Sequence, residues 1–328
     1  MDFRPVRRAP GAFQQSLVPD DFTAVCHRAF GPSSSPLSAV ELGLGMYNNT
    51  YKIELAGHNR PVILRVAPEP TRQFRSEQHL MRNEYASVPW LAVIAPLMPR
   101  VIAADWSHEI VRRDWMIQSC LDGVPAPDRL GAYPREAWPT FYRQMGAITR
   151  SVHDVRGPRF GPVGSTGHAT WSEAVITSLE EIATDLESLA LESSDIRKVA
   201  ALAGHSHTIL DEVTDPRLLT GDLWTVNALL DPSASEPTIT GVLDFDRTWF
   251  GDPAADWTIR MARSKSDERQ AFFEPYGALD DTPAAQWRAL VYEARHLGAL
   301  RLERHRLGKT DAVRESFDAV AKVLDGLS

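Results

Sequence analysis

Two short segments of the sequence carry acidic and amide side chains at a spacing that could support phosphoryl transfer. Asp222 is followed five positions later by Asn227, and Asp244 and Asp246 come after a short apolar run. Transfer to a hydroxyl needs one carboxylate that orients the hydroxyl, then a carboxamide and a second carboxylate that hold Mg²⁺ against nucleotide phosphates. Asp222, Asn227 and Asp244 match these roles in chain order. Asp246 is a further candidate for contact with the metal or the substrate.

A predicted hairpin brings these two segments together. Residues 228–230 are apolar and lead into the turn-forming Asp231-Pro232-Ser233, and residues 238–243 have the pattern of a returning strand. Asp244 would then lie beside the Asp222 loop, so that both could reach one ion. The alternative for Asp222 and Asn227 is turn chemistry, in which both side chains bond the local backbone.

With these motifs the chain resembles the aminoglycoside phosphotransferase and choline kinase-like superfamily, whose members are small-molecule kinases with a protein-kinase-like fold. The resemblance is carried by Gly221-Asp222 to Asn227, by Asp244-Phe245-Asp246, and by Gly251-Asp252-Pro253. It implies that Asp222 is the catalytic base and that Asn227 and Asp244 are ligands of Mg²⁺. Asp246 remains a candidate for contact with the metal or the substrate.

The catalytic loop departs from the family pattern at its first residue, where Thr220 replaces the usual His. A Thr hydroxyl can make a local hydrogen bond but cannot carry all the contacts of an imidazole. We therefore expect altered support for the loop rather than lost chemistry. His153, at the end of a helix predicted over 141–153, is expected to buttress the loop. Asp252 and Asp256 are expected to cap the helix that begins near Pro253.

A glycine-bearing loop within residues 40–51 resembles the nucleotide loop of the same family. Its candidates for nucleotide contact are Gly43, Gly45 and Asn49. The flanking segments 51–55 and 62–66 alternate like neighbouring antiparallel strands. The alternative is an ordinary hairpin, because Gly adopts positive φ without steric cost.

Kinase chemistry also needs a cation near the nucleotide phosphates and a Glu that holds this cation. Arg65, on the strand predicted at 62–66, is the candidate cation and stands where the family usually has Lys. Glu84, on a helix predicted over 77–85, is the candidate partner, with Glu77 as the alternative. Lys52, one strand earlier, is expected to be solvated.

Residues 114–123 resemble the strand that leads into the hinge between the two lobes of these kinases. The family holds the purine base there through backbone groups, so we expect the carbonyl of Gln118 and the N–H of Cys120 to contact the base. The resemblance implies an α+β, two-lobed protein-kinase-like fold. An N-lobe over 1–117 would contain an antiparallel sheet and helices, followed by a hinge over 118–123 and a mostly helical C-lobe over 124–328.

Helical periodicity predicts one helix over 172–200 and one or two helices over 282–328, with Thr282 as N-cap and Pro283 as first residue. The region between Trp171 and Ala200 contains seven acidic residues: Glu173, Glu180, Glu181, Asp185, Glu187, Glu192 and Asp195. They could form a wall that attracts a cationic substrate. A solvated helix face is the commoner origin of such a run and is the interpretation we favour.

Composition limits the function classes. With 328 residues, 43% of them hydrophobic, the chain can bury a large core. A net charge of −8 without a basic cluster argues against nucleic acids or acidic membranes as partners. The two cysteines, Cys26 and Cys120, form no disulfide or metal pattern. The absence of a signal pattern or an 18-residue apolar run predicts a cytoplasmic protein.

The sequence thus predicts a kinase that uses ATP or GTP to phosphorylate a small-molecule hydroxyl, with an aminoglycoside or nucleoside antibiotic as the leading acceptor. A metabolic kinase of a sugar, amino-alcohol or fructosamine is the nearest alternative, since Gly221-Asp222-Leu223-Trp224 resembles the fructosamine kinase-like loop. Trp224 and Trp249 could stack on a substrate ring or fill the core. Thr220 motivates an alternative from another class, a nucleotide-binding pseudokinase.

Overall fold

A computed structural model of the chain describes residues 1–9, 11–43 and 45–327, and its N-terminal part contains a six-stranded sheet. The strands are β1 (Asp2–Arg4), β2 (Pro36–Leu42), β3 (Asn49–Leu55), β4 (Val62–Val66), β5 (Val101–Asp105) and β6 (Trp115–Ser119). Their spatial order is β1-β2-β3-β4-β6-β5, with β1 parallel to β2 and the other neighbours antiparallel. The sheet is therefore mainly antiparallel, as predicted.

Helices cover both faces of this sheet. On one face, Phe22 of α1 (Pro19–Phe30) is buried against Tyr51 of β3. On the other face, Met81 of α2 (Leu80–Ser87) packs against Met116 of β6. Because side chains alternate along a strand, β3 presents Lys52 to solvent, which confirms the prediction that this residue is solvated.

The helix predicted over 77–85 forms only in its second half. A short 3₁₀ turn covers Arg75–Glu77, and His79 then adopts a φ of 65°, in the left-handed region that interrupts an α-helix. Helix α2 begins one residue later, at Leu80. Glu77 and Glu84 consequently belong to different elements.

The C-terminal part is mostly helical, with two small sheets beside the helices. The helices are α3 (Ala126–Arg129), α4 (Trp138–His153), α5 (Trp171–Ser188), α6 (Ser194–His205), α7 (His207–Leu210), α8 (Trp257–Ser264), α9 (Ser266–Tyr276), α10 (Pro283–Arg306) and α11 (Thr310–Leu327). The strands are β7 (Val124–Pro125), β8 (Gly161–Pro162), β9 (Arg217–Leu219), β10 (Ala228–Leu230), β11 (Ile239–Val242) and β12 (Trp249–Gly251). Together with the N-terminal sheet, these elements confirm the α+β class.

The small sheets position the segments that carry the predicted chemistry. Their orders are β11-β10-β7 and β8-β12-β9, and all pairs are antiparallel. β10 and β11 form the predicted hairpin, in which Ala228 pairs with Val242. The Asp222 loop connects β9 to β10, and Asp244 and Asp246 lie between β11 and β12.

In the C-terminal part, the predicted start of one helix is confirmed, whereas another predicted helix is divided in two. The Thr282 hydroxyl accepts a hydrogen bond from the Ala285 N–H at 3.2 Å, which confirms Thr282 as the N-cap of α10, with Pro283 as its first residue. The single helix predicted over 172–200 is instead two, α5 and α6. Ala190, between them, has a φ of 55°, which is incompatible with a continuous right-handed helix.

The C-terminal part has two hydrophobic clusters, one where α4 packs on α9 and one formed by α5, α6, α10 and α11. Gly146 of α4 faces the backbone of Phe272, and a Cβ at this position would come 2.0 Å from the Phe272 carbonyl oxygen. Only glycine permits this approach.

Among the described helices, none is long and apolar enough to cross a membrane.

Candidate active site

The loop between β9 and β10 is closed by an internal hydrogen bond. The Asn227 side-chain N–H donates to the backbone oxygen of Asp222 at 2.8 Å. Gly221 has a φ of 82°, and a Cβ there would come 2.5 Å from the backbone carbonyl of Arg247. Glycine therefore lets the Asp222 loop lie directly against the segment that follows Asp246.

The first residue of the loop is anchored by a buried polar network. The backbone N–H and the hydroxyl of Thr220 both donate to Asp256 Oδ2, at 2.6 and 2.8 Å. His153 Nε2 lies 2.7 Å from the same oxygen, and His153 Nδ1 lies 2.8 Å from the Tyr276 hydroxyl. The prediction that His153 supports the loop is confirmed, and it does so through Asp256.

Asp256 and Asp252 are both N-caps, as predicted, but they cap two separate elements rather than one helix near Pro253. Asp256 accepts a hydrogen bond from the Thr258 N–H at the start of α8, and Asp252 accepts one from the Ala254 N–H. Burial alone would raise the pKa of Asp256, but the hydrogen bonds from His153 and Thr220 hold it below its ordinary value. Asp256 is therefore a buried, fully engaged carboxylate at the base of the loop.

The segment between β11 and β12 connects the Asp222 loop with the N-terminal part. Asp244 has a φ of 68°, which is rare for a residue other than glycine, and its carboxylate accepts a hydrogen bond from Arg65 Nη2 at 2.7 Å. Asp246 is 4% exposed, and its backbone oxygen accepts a hydrogen bond from the Asn83 side chain at 2.8 Å. Two contacts thus join this segment to β4 and α2.

Three carboxylates crowd this region. Burial, followed by the charge of Asp244, raises the pKa of Asp222 to about 7. The same two causes raise the pKa of Asp246 well above its ordinary value. Arg247 opposes both shifts without cancelling them. The region therefore has an excess of negative charge that a bound cation would relieve.

The donor set fits Mg²⁺ in the presence of a nucleotide. Mg²⁺ usually binds one or two carboxylates together with phosphate oxygens, and Asp244 and Asn227 offer such ligands, with Asp246 nearby. Over residues 1–9, 11–43 and 45–327, no group of three or more His, Cys, Asp or Glu side chains could hold a metal by itself. Phosphate oxygens and water would complete the coordination of such an ion.

Arg65 and Glu84 form the predicted pair. Arg65 Nη1 donates to both carboxylate oxygens of Glu84, at 2.6 Å for Oε1. The charges of Glu84 and Asp244 raise the pKa of Arg65, although burial opposes them. Glu77, the alternative partner, instead accepts a hydrogen bond from Arg306 at 2.5 Å. The contact of Arg65 with phosphates stays a prediction.

The glycine-bearing loop is held by the N-terminal segment. The Gln14 side-chain N–H donates to the backbone oxygens of Gly45 and Asn48, at 3.1 and 2.8 Å. Gly43 precedes Leu44, which lies outside the described residues. The nucleotide contacts of Gly43 and Gly45 stay predictions, and the bonds from Gln14 show what positions the loop.

The Asn49 side chain belongs to a buried polar cluster. It is fully buried, and its Nδ2 donates to Glu41 Oε1 at 2.7 Å. Glu41 also accepts hydrogen bonds from Arg8 and from the Ser16 hydroxyl. This cluster encloses the Asn49 side chain and links β3 to β2. The contact of Asn49 with a nucleotide stays a prediction.

The hinge candidates follow directly from β6. Gln118 lies in β6, and its buried side chain reaches Glu84 Oε1 at 3.4 Å. Cys120 comes just after the strand ends at Ser119 and is half-buried. The contacts of the Gln118 carbonyl and the Cys120 N–H with a base stay predictions.

The two tryptophans near the catalytic segments have different positions. Trp224 is 7% exposed and packs in the core, with its ring centroid 5.8 Å from Tyr142 and 6.3 Å from Phe272. Substrate stacking by Trp224 is therefore excluded in this arrangement, and the core alternative holds. Trp249 lies at the wall of a cavity, and the guanidinium of Arg295 is 4.3 Å from its ring centroid.

This cavity opens beside Asp222 and has a volume of about 770 Å³, which is within the usual range of small-molecule sites. Its walls include Asp246, Arg247, Trp249 and Arg295. Arg247 and Arg295 were not predicted from the sequence as residues of this site. Arg247 could have been found by its position next to Asp246, whereas nothing local distinguishes Arg295 from other basic residues of α10.

The acidic residues of α5 and α6 form no continuous wall. Among them only Glu181 lines the cavity. The others have local partners: Glu180 and Glu187 pair with Arg197, Asp195 with Arg301, and Asp185, Glu173 and Glu192 accept backbone N–H groups. The interpretation as an ordinary helix surface therefore accounts for most of the run.

Comparisons with known proteins agree with this architecture. The model of a family described as the phosphotransferase enzyme family matches residues 38–319. No curated protein sequence matches the chain. The fold is similar to that of the GDP complex of wild-type aminoglycoside 2'-phosphotransferase-IIIa, with a TM-score of 0.61, 17% identity, and coverage of 92% of this chain and 97% of that chain.

Two further solved structures have the same likeness. The apo form of a thermostable mutant of aminoglycoside phosphotransferase APH(4)-Ia has a TM-score of 0.63 and 18% identity, with 94% of this chain and 99% of that chain covered. A putative fructosamine-3-kinase from Thermobifida fusca YX-ER1 has a TM-score of 0.61 and 18% identity, with 92% of this chain and 98% of that chain covered. The predicted kinase-like fold class is confirmed.

Proposed function

The chain belongs to the phosphotransferase enzyme family, and from this we propose that it transfers the γ-phosphoryl group of ATP or GTP to a hydroxyl of a small molecule bound beside Asp222. Membership of the family makes the chain a nucleotide-dependent phosphotransferase. The observation that carries the proposal is the convergence of the Asp222–Asn227 loop with Asp244 and the Arg65–Glu84 pair.

Asp222 is the proposed catalytic base. Its carboxylate accepts the hydrogen bond of the acceptor hydroxyl and takes its proton as the acceptor oxygen bonds to the γ-phosphorus. The bond between the γ-phosphorus and the bridging oxygen breaks, and the nucleoside diphosphate leaves. The hydrogen bond between Asn227 and the Asp222 backbone fixes the loop in the position that this step needs.

Charge neutralisation accompanies this positioning. Arg65 would face the nucleotide phosphates while Glu84 keeps its guanidinium in place. Asn227 and Asp244 would hold Mg²⁺, which supplies further neutralisation of phosphate charge when bound with the nucleotide. Asp246, which is buried next to Arg247, is a further candidate for the metal or the substrate.

The named neighbours support different acceptors. Two are aminoglycoside phosphotransferases, which supports an aminoglycoside or nucleoside antibiotic as acceptor and a role in resistance. One is a putative fructosamine-3-kinase, which supports a metabolic sugar, amino-alcohol or fructosamine acceptor. The intact anchor between Thr220 and Asp256 argues against a pseudokinase, because the loop keeps its support.

We place the reaction in the cytoplasm, where ATP and GTP are available, and propose no nucleic-acid or membrane partner. The free thiols of Cys26 and Cys120 agree with a reducing compartment. The net charge of −8 agrees with the absence of a nucleic-acid partner.

Mass spectrometry of acceptor panels tests this function. The protein is incubated with antibiotics and small hydroxylated metabolites, Mg²⁺ and either ATP or GTP, and each compound is examined for the mass of one added phosphate. We expect a phosphorylated product that is absent with Asp222→Asn. Nucleotide binding without transfer to any compound would favour the pseudokinase instead.

A further inference from the structure

Four arginines line the cavity next to Asp222, namely Arg75, Arg82, Arg247 and Arg295. Arg82 is paired with Asp114, whereas Arg247 and Arg295 combine cavity positions with unsatisfied guanidinium donors. The backbone of Arg247 lies against Gly221, which places this residue at the catalytic loop. Arg295 comes from α10, and its guanidinium lies over the ring of Trp249, which holds it at the cavity wall. The two cations are therefore candidates for contacts with the acceptor rather than with the nucleotide.

Arg295 lacks a paired anion. Its Nε donates to the Ser178 hydroxyl at 2.7 Å, and in the part of the chain that the structure describes no carboxylate forms an ion pair with its guanidinium. Burial, followed by repulsion from Arg247, lowers the pKa of Arg295 to about 10. Glu181 opposes this shift only weakly, and burial raises the pKa of Glu181 itself. A partly buried cation in this state is stabilised by an added anion.

Arg247 has negative neighbours but keeps free donors. Its Nη2 lies 3.7 Å from Glu77 Oε1, beyond hydrogen-bond distance, and its side chain is 40% exposed. Asp246, Glu77 and Asp222 raise its pKa although burial opposes them. No hydrogen bond joins its guanidinium to another described residue. Arg247 can therefore donate to a ligand in the cavity.

The cavity carries charges of both signs, and Arg247 lies among the carboxylates of Asp222, Asp246 and Glu77. Glu303 also lines the cavity, and its charge contributes to the raised pKa of Asp222, so negative charge is concentrated toward the catalytic base. Arg295 is influenced by Arg247 and Glu181 instead. An acceptor that reaches from Asp222 to Arg295 would present its hydroxyl to Asp222 and an anionic group to the arginines.

On the basis of the proposed transfer to a bound hydroxyl, we infer that the acceptor carries an anionic group, a carboxylate or a phosphate, that binds Arg295 and Arg247 while its hydroxyl faces Asp222. Guanidinium groups bind both anions through paired N–H donors. Trp249 orients Arg295 for this contact through the face of its ring. A polycationic acceptor would instead bring like charge to Arg295.

Sulfate is the first probe, because it represents the anion without assuming the rest of the acceptor. It is titrated by calorimetry into protein saturated with Mg²⁺ and AMP-PNP, so that the nucleotide phosphates already occupy their own site. We expect Arg295→Gln to weaken sulfate binding by about tenfold, the effect of losing one charge-assisted hydrogen bond. Arg295→Lys, which keeps the charge, is expected to retain part of the affinity.

Arg314→Gln is the matched control, since Arg314 is an exposed arginine whose side chain is 75% accessible and pairs only with Asp311 among the described residues. It is expected to bind sulfate like the original protein. The inference is overturned if sulfate does not bind, or if it binds equally well to Arg295→Gln.

A series of acceptors that share one sugar ring tests the same site during turnover. The anionic members are glucuronate and glucose 6-phosphate, which separate carboxylate from phosphate, and glucose and glucosamine are the neutral and cationic members. We expect kcat/KM to favour an anionic member by about tenfold or more, and this ratio to shrink in Arg295→Gln. General damage to the enzyme would lower kcat/KM for all four acceptors alike and leave the ratio between them unchanged.

The two hypotheses fail in different ways. Equal or faster phosphorylation of glucose or glucosamine contradicts the anionic acceptor but leaves phosphotransfer intact. If no compound of this series or of the wider acceptor panel receives a phosphate, the proposed function loses its support. The sulfate titration still decides whether the arginines form an anion site.

Discussion

The hydroxyl of Thr220 donates a hydrogen bond to Asp256 Oδ2 across 2.8 Å, at the first residue of the loop that carries Asp222. The same oxygen lies 2.7 Å from His153 Nε2. The loop lacks the usual His of the family at this position, yet an imidazole from α4 still reaches its anchor through Asp256. This arrangement explains how the loop keeps its support with Thr as its first residue.

Removing the Thr220 hydroxyl tests this anchor. Thr220→Val keeps the shape of the side chain but deprives buried Asp256 of one donor, so we expect the free energy of unfolding to fall by about 1–3 kcal/mol. Thr220→Ser keeps the hydroxyl and is the control. Urea denaturation measures both. Equal stability of the two variants would mean that His153 and the backbone N–H satisfy Asp256 without the hydroxyl.

The role of Asp222 predicts a large loss of rate without a comparable loss of nucleotide binding. We expect Asp222→Asn to lower kcat by about 10²–10⁴-fold, because an amide cannot accept the hydroxyl proton. The KM for the nucleotide should change far less. Asp311→Asn is the control, since the Asp311 side chain is 89% exposed. Steady-state kinetics decide the point, and a kcat reduced by less than about tenfold would contradict a base at this position.

The Arg65–Glu84 pair predicts linked effects on stability and on nucleotide affinity. Glu84→Gln removes a buried anion but leaves Asp244 as a partner of Arg65. We expect a loss of about 3 kcal/mol in the free energy of unfolding, the lower end of the range for broken buried pairs. The nucleotide KM should rise by about tenfold as Arg65 loses its orientation.

Glu109→Gln is the control for this pair, because the Glu109 side chain is 69% exposed at the surface. Denaturation and initial-rate measurements are made on both variants. A Glu84→Gln protein with unchanged nucleotide KM would show that Arg65 does not depend on Glu84 for its position.

His296 makes stability depend on pH. Burial, followed by the charges of Arg295 and Arg260, lowers its pKa from 6.5 to about 3 in the folded chain. Between these values the unfolded state binds more protons, so the free energy of unfolding falls as pH falls, by at most about 1.4 kcal/mol per pH unit from this group. His296→Gln should flatten this part of the curve.

Unfolding of the original protein and of His296→Gln is compared at pH 7, 6 and 5. The exposed His205→Gln serves as the control and is expected to leave the slope in place. Parallel curves for the original protein and His296→Gln would contradict a proton-free His296 in the folded state.

Much of the catalytic segment could be predicted from the sequence, because its residues are close together in the chain. Asp222 and Asn227 share one loop, and a short hairpin determines where Asp244 returns. The antiparallel strands could be predicted equally well, since the alternation of apolar and polar side chains is a local property of the sequence. The pairing of Arg65 with Glu84 followed from one strand and the next helix.

Other features depend on packing that no local pattern contains. Asn49 is enclosed because Glu41 lies beside it, and Trp224 is buried because Tyr142 and Phe272 pack around it. Arg295 reaches the cavity only through the way α10 lies along its neighbours. Such positions are determined by distant segments, so residue type and spacing alone could not assign them.

The bonds from Gln14 to the carbonyls of Gly45 and Asn48 have a thermodynamic consequence for nucleotide affinity. Fixing the backbone of one residue costs about 1–2 kcal/mol of conformational entropy. Where the N-terminal segment already restrains the glycine-bearing loop, part of this cost is met during folding. The entropy cost of ordering the loop on nucleotide binding is then smaller, so it weakens nucleotide affinity less.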